Sequence, residues 1–323
     1  MISFSYQVKK EVSLLEVAGQ DEALSELSAI IRASGEIQLA KNGIKIVVKT
    51  EVEELCDKID KLLMMLYGKK SNRSVSTELA FSKNQRFVLE FPTDITNQVL
   101  TDTEIMYYDE EKYLCHNSNI SKYLIQEETL AKSYIRGAFE GCFTCNISLS
   151  ESSLSAKTTG YHAEFVFNSE SIAQDFGLLL ADFDIISKMV ERKGLFVVYI
   201  KDFEMISDLF ALVGASKAVL EIQNENALRS IRNTVNRQTN CISANLSKTV
   251  DASLKEVEAI KTIQQIIGLE TLDQSLLAVA NLRLANPEES LDSLVKLSTE
   301  KISKSGLYHR LKKLEKIAKE LKQ

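Results

Sequence analysis

Apolar residues recur at helical spacing over residues 21–34, where Leu24, Leu27, Ile30 and Ile31 share one face. The period then shortens to two. Residues 36–40 and 44–49 alternate apolar and polar on either side of Lys41-Asn42-Gly43, the signature of a tight hairpin. A helical pattern follows over 52–66, and a second hairpin is predicted from 75–81 against 86–91. The same order returns further along the chain: a helix over 129–141, strands at 145–150 and 161–167, and a helix over 169–182. A hairpin of 185–192 and 195–201 around Lys193-Gly194 comes next, and a helix at 202–213 closes the unit. Each half reads helix, hairpin, helix, hairpin, helix. An internal duplication, with halves of about 1–110 and 127–222, explains that order most economically.

Beyond residue 222 only helical patterns occur, at 225–238, 243–267, 273–285, 289–298 and 303–321. The change falls in a polar junction at 220–226, and the two prolines, Pro92 and Pro287, sit at element boundaries. The expected fold class is α+β: a duplicated αββαββα domain over 1–222, then an all-α domain over 223–323.

Composition fits this plan. The chain has 323 residues, 45% apolar and 26% charged, suited to two or three globular domains. No apolar run reaches the ~18 residues of a membrane span, and the first residues lack a signal-peptide core, so a cytoplasmic protein is expected. The five cysteines, Cys56, Cys115, Cys142, Cys145 and Cys241, suit reduced thiols rather than a disulfide framework. The net charge of −6 argues against nucleic acid until its distribution is examined. Residues 226–323 hold 16 Lys+Arg and 11 Asp+Glu, whereas the first 225 hold 23 and 34. The last 23 residues carry 8 basic and 2 acidic side chains. An acidic body with a basic tail is the footprint of a DNA binder; a solvated basic helix end is the competing explanation.

The opening helices of the two halves carry related sequences, LSAIIRASG at 27–35 and IRGAFEGCF at 135–143. Both resemble the LAGLIDADG motif of homing endonucleases. That resemblance implies two helices packed through small residues, here Ala29, Ala33, Gly137 and Gly141, each delivering one acid to a metal site. The acid positions fall on Ser34 and Cys142, which are not carboxylates, and hard Mg²⁺ needs carboxylate oxygens. Glu36 and Glu140 lie nearby in the wrong phase. No catalytic residue, metal or cofactor is therefore expected. Cys142 and Cys145 have a Cys-x-x-Cys spacing, but a zinc site needs two more ligands, and Cys115, His116 and His162 are the only candidates.

Residues 289–321 read as a helix-turn-helix, with Leu291, Leu294 and Val295 on the first helix and a turn at 299–302. Ser303 suits the N-cap of the second helix and, with Lys304, is also expected among the DNA-binding residues. Leu307, Leu311, Leu314, Ala318 and Leu321 form one stripe. The opposite face presents Ser305, His309, Lys312 and Lys316, with Tyr308 and Lys313 beside them and Lys304 at the start. Early residues of such a helix meet base edges and later lysines meet phosphates; a coiled-coil end is the alternative. A second basic face, Arg229, Arg232, Asn233, Asn236 and Arg237, precedes it, with Leu228, Ile231 and Val235 on another side. Binding of this helix to the acidic first domain is the alternative there.

Ten stretches resemble the WhiA family, in order along the chain: SFSYQVKKE at 3–11, YIRGAF at 134–139, ERKG at 191–194, VGA at 213–215, VNR at 235–237, Cys241, ANL at 244–246, KT at 248–249, ISKSG at 302–306 and HRL at 309–311. The resemblance implies a protein of Gram-positive-type bacteria or their wall-less relatives. It also implies a degenerate LAGLIDADG domain joined to a helix-turn-helix akin to the promoter-reading region of sigma factors. Transcriptional control, sporulation, cell division and chromosome segregation are the implied roles, on double-stranded DNA at the nucleoid. The family's second motif usually ends in small residues; Cys142-Phe143 departs from this and predicts looser helix packing. Two other function classes stand beside the regulator: a tether to the nucleoid whose acidic domain docks a protein partner, and a metal-dependent nuclease.

Overall fold

The computed structural model describes residues 3–40, 43–76, 86–147 and 161–322. The chain divides into two compact units, Met1–Ala227 and Leu228–Gln323. The first unit opens with helix α1 (Phe4–Ser13), capped by the Ser3 hydroxyl, which accepts from the Tyr6 N–H at 3.2 Å. The first half follows as α2 (Gln20–Ser34), β1 (Gly35–Ala40), β2 (Gly43–Thr50), α3 (Glu53–Tyr67), β3 (Asn72–Ser76), β4 (Arg86–Glu90) and α4 (Thr96–Asp102). A short hairpin, β5 (Met106–Tyr108) with β6 (Leu114–His116), leads to the second half. That half is α5 (Glu128–Cys142), β7 (Phe143–Asn146), β8 (His162–Phe167), α6 (Glu170–Ala181), β9 (Lys188–Arg192), β10 (Leu195–Ile200) and α7 (Phe203–Leu212).

The two sheets have one topology, β1-β2-β4-β3 and β7-β8-β10-β9, with antiparallel neighbours throughout. This is the duplication that the sequence predicts. In the first sheet Gly35 pairs with Val48 and Ala40 with Gly43, so β1 and β2 flank the predicted turn, whose Lys41 and Asn42 lie outside the described residues. The turn between β9 and β10 puts Lys193 at φ 55° and Gly194 at φ 76°, the left-handed pair that a two-residue hairpin of matching twist requires. The second hairpin of the first half starts earlier than expected, at Asn72; residues 77–81 of the predicted strand, like 148–150 of the next half, lie outside the described residues.

Each half has its own apolar core. Leu27, Ile30 and Ile31 of α2 pack with Ile46, Val48, Ile59, Leu63 and Leu89. In the second half Phe139, Phe143, Phe165, Phe176 and Phe210 meet as a cluster of rings. Val8 and Val12 of α1 belong to this second core, although α1 precedes both halves in the chain.

Helix α8 runs from Ser216 to Ile266 without a break. This corrects the expected helices 225–238 and 243–267. No Gly or Pro occurs between residues 216 and 266, and a polar junction alone does not stop a helix. Its first turn is held by Glu11 of α1, whose carboxylate accepts from the Lys217 and Ala218 N–H groups at 2.7 and 3.2 Å. In the second unit, α9 (Gln274–Ala285), α10 (Leu291–Leu297) and α11 (Lys304–Leu321) enclose a third core with Ile260, Ile263, Leu276, Val279 and Leu294. The fold is α+β, with the helix-turn-helix formed by α10 and α11. Among the described residues no helix is long and apolar enough to cross a membrane.

Candidate nucleic-acid interface

Helix α11 lies on the third core through Leu307, Leu311, Leu314 and Ala318, all buried. Their spacing of four, three and four fixes the helix rotation, so Ser305, Tyr308, His309, Lys312, Lys313 and Lys316 face solvent. Ser303 caps the helix: its hydroxyl accepts from the Gly306 N–H at 3.1 Å. Lys304 pairs with Asp292 of α10 at 2.5 Å on the exposed surface. Arg310, absent from the predicted contacts, braces the turn by donating to Glu300 at 3.0 Å and to the Ser275 carbonyl at 3.4 Å.

The exposed lysines have acidic neighbours. Lys312 donates to both oxygens of Glu315 at 2.7 Å and lies 5.8 Å from the centre of the Tyr308 ring. The hydrogen bond to Glu315 leads in holding the Lys312 ammonium above the ordinary lysine range. Lys313 stands 3.9 Å from Asp273, and Lys316 stands 3.9 Å from Glu320. Exposed pairs of this kind contribute under about 1 kcal/mol each, so an arriving phosphate displaces the carboxylate at small cost.

In α8, Arg232, Asn233, Asn236 and Arg237 are exposed and Arg229 is half-buried. Leu228, Ile231 and Val235 are 48%, 61% and 52% exposed, so this stretch has no buried apolar side to orient its basic residues. The basic face of α11 thus stands opposite a buried apolar stripe, and that of α8 does not.

In the first unit, α2 and α5 lie side by side. A Cβ built on Gly137 would stand 2.2 Å from the Glu26 carbonyl oxygen and 2.9 Å from the Ala29 Cβ. One built on Gly141 would stand 2.6 Å from the Ala33 Cβ and 3.4 Å from the Ser34 hydroxyl. The small residues thus permit the close packing that the motif predicts. Cys142-Phe143 does not loosen it, because Phe143 turns into the second core and stacks on Phe139 with ring centres 3.9 Å apart.

Ser34 and Cys142, the positions that the motif resemblance assigns to the acids, lie at the ends of the two paired helices. Ser34 donates to the Ile30 carbonyl at 2.9 Å, and burial pushes the Cys142 thiol up to about 12, so it stays protonated. Glu36 is exposed on β1 and bound to Lys49 at 2.8 Å. Among the described residues no group of three or more His, Cys, Asp or Glu side chains is placed to hold a metal ion.

Glu140 is instead fully buried against Glu26 of α2. Lys58 lies 3.0 Å and Arg136 3.5 Å from Glu26. Burial, and then the charge of Glu26, push the Glu140 carboxyl well above the usual range, so it holds a proton that the unfolded chain releases. Its contribution to stability is complete below about pH 4.3 and declines as pH rises toward the folded-state value. The Glu140→Gln variant keeps the neutral shape, so its urea midpoint should gain on the parent's between about pH 5 and pH 8. A midpoint difference that stays flat with pH would contradict this assignment.

A duplicated LAGLIDADG-like unit followed by a helix-turn-helix unit defines the class of protein. Three family models match in the same order: WhiA N-terminal LAGLIDADG-like domain at residues 20–106, WhiA LAGLIDADG-like domain at 131–232 and WhiA C-terminal HTH domain at 235–318. A probable cell division protein WhiA of Clostridium beijerinckii is 37% identical over 322 residues, 99% of each chain. That of Clostridium tetani is 35% identical over 99% of this chain and 98% of its own. The solved full-length DUF199/WhiA from Thermatoga maritima has a similar fold, with a TM-score of 0.59 over 99% of each chain at 23% identity. The chain belongs to the WhiA family.

Proposed function

We propose that this protein is a DNA-binding regulator of cell division that reads duplex DNA with the solvent face of α11, and that its LAGLIDADG-like unit cuts no DNA. The supporting observation is the fixed rotation of α11, which buries Leu307, Leu311 and Leu314 and turns Ser305, His309, Lys312 and Lys316 outward together. Ser305 and His309 reach base edges, while Lys312, Lys313 and Lys316 engage phosphates. Ser303 and Lys304 act one step back, by capping the helix and by pairing with Asp292 of α10. The basic face of α8, with Arg229, Arg232, Asn233, Asn236 and Arg237, adds phosphate and base-edge contacts. Roles in chromosome segregation and, in sporulating lineages, in sporulation belong to the same reading, as does a place on the nucleoid.

A His309→Ala protein should lose about 1–3 kcal/mol at its preferred site and little on random DNA, measured by fluorescence anisotropy. A Lys316→Ala protein should weaken on both DNAs alike and reduce the salt slope by about 0.9. The second reading, a nucleoid tether whose acidic first unit docks a protein partner, draws on the acidic excess of the first 225 residues, 34 Asp+Glu against 23 Lys+Arg. It requires equal losses on both DNAs for His309→Ala.

A further inference from the structure

The fold implies a divalent metal where α2 and α5 end, and the residues there do not fit one. Ser34 spends its hydroxyl hydrogen on its own helix, and Cys142 is a neutral thiol. A cation is already present. Lys9 of α1, half-buried, donates to the Gly141 carbonyl at 3.4 Å. It lines a cavity of about 560 Å³ together with Lys49, Arg86, Glu51 and Cys145.

We propose that the Lys9 ammonium is a resident cation that takes over the metal's electrostatic place at the foot of the helix pair and shuts divalent ions out. The closing carbonyls of two adjacent helices concentrate partial negative charge where α2 and α5 stop. Something positive must answer that charge in a half-enclosed space, and Lys9 does so from a third helix. Burial leads in pulling its ammonium below the ordinary lysine range, while the Glu51 carboxylate acts to keep it charged. Lys49 and Arg86 line the same cavity, although each has a carboxylate near it: Glu36 at 2.8 Å and Glu51 at 3.6 Å. The site has thus gone further than losing two acids. Restoring them would create an internal ion pair with Lys9 rather than a metal site. This inference concerns the first unit alone and stands whether or not α11 grips DNA.

The test uses the full chain and Mn²⁺ as the probe, with bound ion read by electron paramagnetic resonance. With Ser34→Asp and Cys142→Asp in place, Mn²⁺ should bind at least about tenfold more weakly when Lys9 is retained than when Lys9→Gln is added. Equal affinities would overturn the proposal, and so would a failure of the folded triple variant to bind Mn²⁺ at all. If the triple variant does not fold, Lys9 is tested in the natural background. Lys9→Arg should then melt within ~2 °C of the parent and Lys9→Met at least ~5 °C lower, on the usual scale of 2–4 °C per kcal/mol. Equal melting of the Arg and Met variants would overturn the proposal.

Discussion

Gly137→Ala should lower the melting temperature by roughly 6–12 °C, the largest effect expected of any single methyl group in the first unit. The added Cβ would stand 2.2 Å from a backbone carbonyl oxygen of the facing helix. Neither a rotamer change nor a shift of a flexible side chain relieves that clash, so α2 and α5 must move apart. Moving them also separates Glu140 from Glu26, whose charge helps to raise the Glu140 carboxyl in the closed pair. Forced overpacking of this kind costs about 3 kcal/mol, against the gain of about 1 kcal/mol that Gly→Ala gives in an open helix. Gly177 of α6 is the internal control. Its Cβ would meet only the Ser187 hydroxyl, at an ordinary 3.5 Å. Gly177→Ala should therefore hold or raise the melting temperature. Equal shifts for the two variants, measured by circular dichroism, would show that the helices have slack.

Arg283→Ala should cost about 3–5 kcal/mol of the second unit's stability while leaving a transition that can still be measured. Arg283 is 2% exposed and Glu256 3% exposed, and they meet at 2.7 Å. The same guanidinium donates to the Glu289 carbonyl at 2.7 Å, strapping the connection from α9 into α10. Its loss leaves a buried carboxylate without a counter-charge. Burial leads in raising the Glu256 carboxyl, and Arg283 restrains that rise. Without Arg283 the carboxyl climbs further, so the penalty is small below about pH 4.3 and grows as pH increases. Urea unfolding at about pH 5 and pH 8 should show the gap widening. Glu256→Leu combined with Arg283→Met should recover much of the loss, as apolar replacements of buried pairs do. If Arg283→Ala is no worse than a surface substitution, the pair has no structural weight.

The parts of this fold that were legible in the sequence are those set by local rules. Residues 44–49 and 195–200 alternate, and Gly43 and Gly194 supply their turns, so the hairpins declare themselves. The stripe of Leu307, Leu311 and Leu314 fixes the face of α11 before any coordinates are known. The extent of α8 is harder to read, because its polar run resembles a joint although no Gly or Pro is there to end the helix. The α1 helix was missed as an element, even with Phe4, Val8 and Val12 at spacing four, because its core partners are remote in sequence. The ionic cluster at the motif helices was invisible for the same reason. Lys9, Glu26, Lys58 and Glu140 come from four helices, and only the tertiary fold brings them together.

The position of α1 also constrains how the chain can fold. Glu11 meets its partner Lys217 across 206 residues, and Val8 and Val12 enter a core whose other members run as far as Ile222. During synthesis α1 leaves the ribosome before either half; Tyr6 can settle on the first core and Lys10 against Glu54, but Phe4, Val8 and Val12 have no partners until the second half is made. Such long-range closures are entropically costly and slow. The first half can assemble around Ile46, Ile59 and Leu89 while that apolar face of α1 waits, exposed and in need of protection. The burial of Val8 and Val12, and with it the placing of Lys9 against Gly141, therefore waits on the second half.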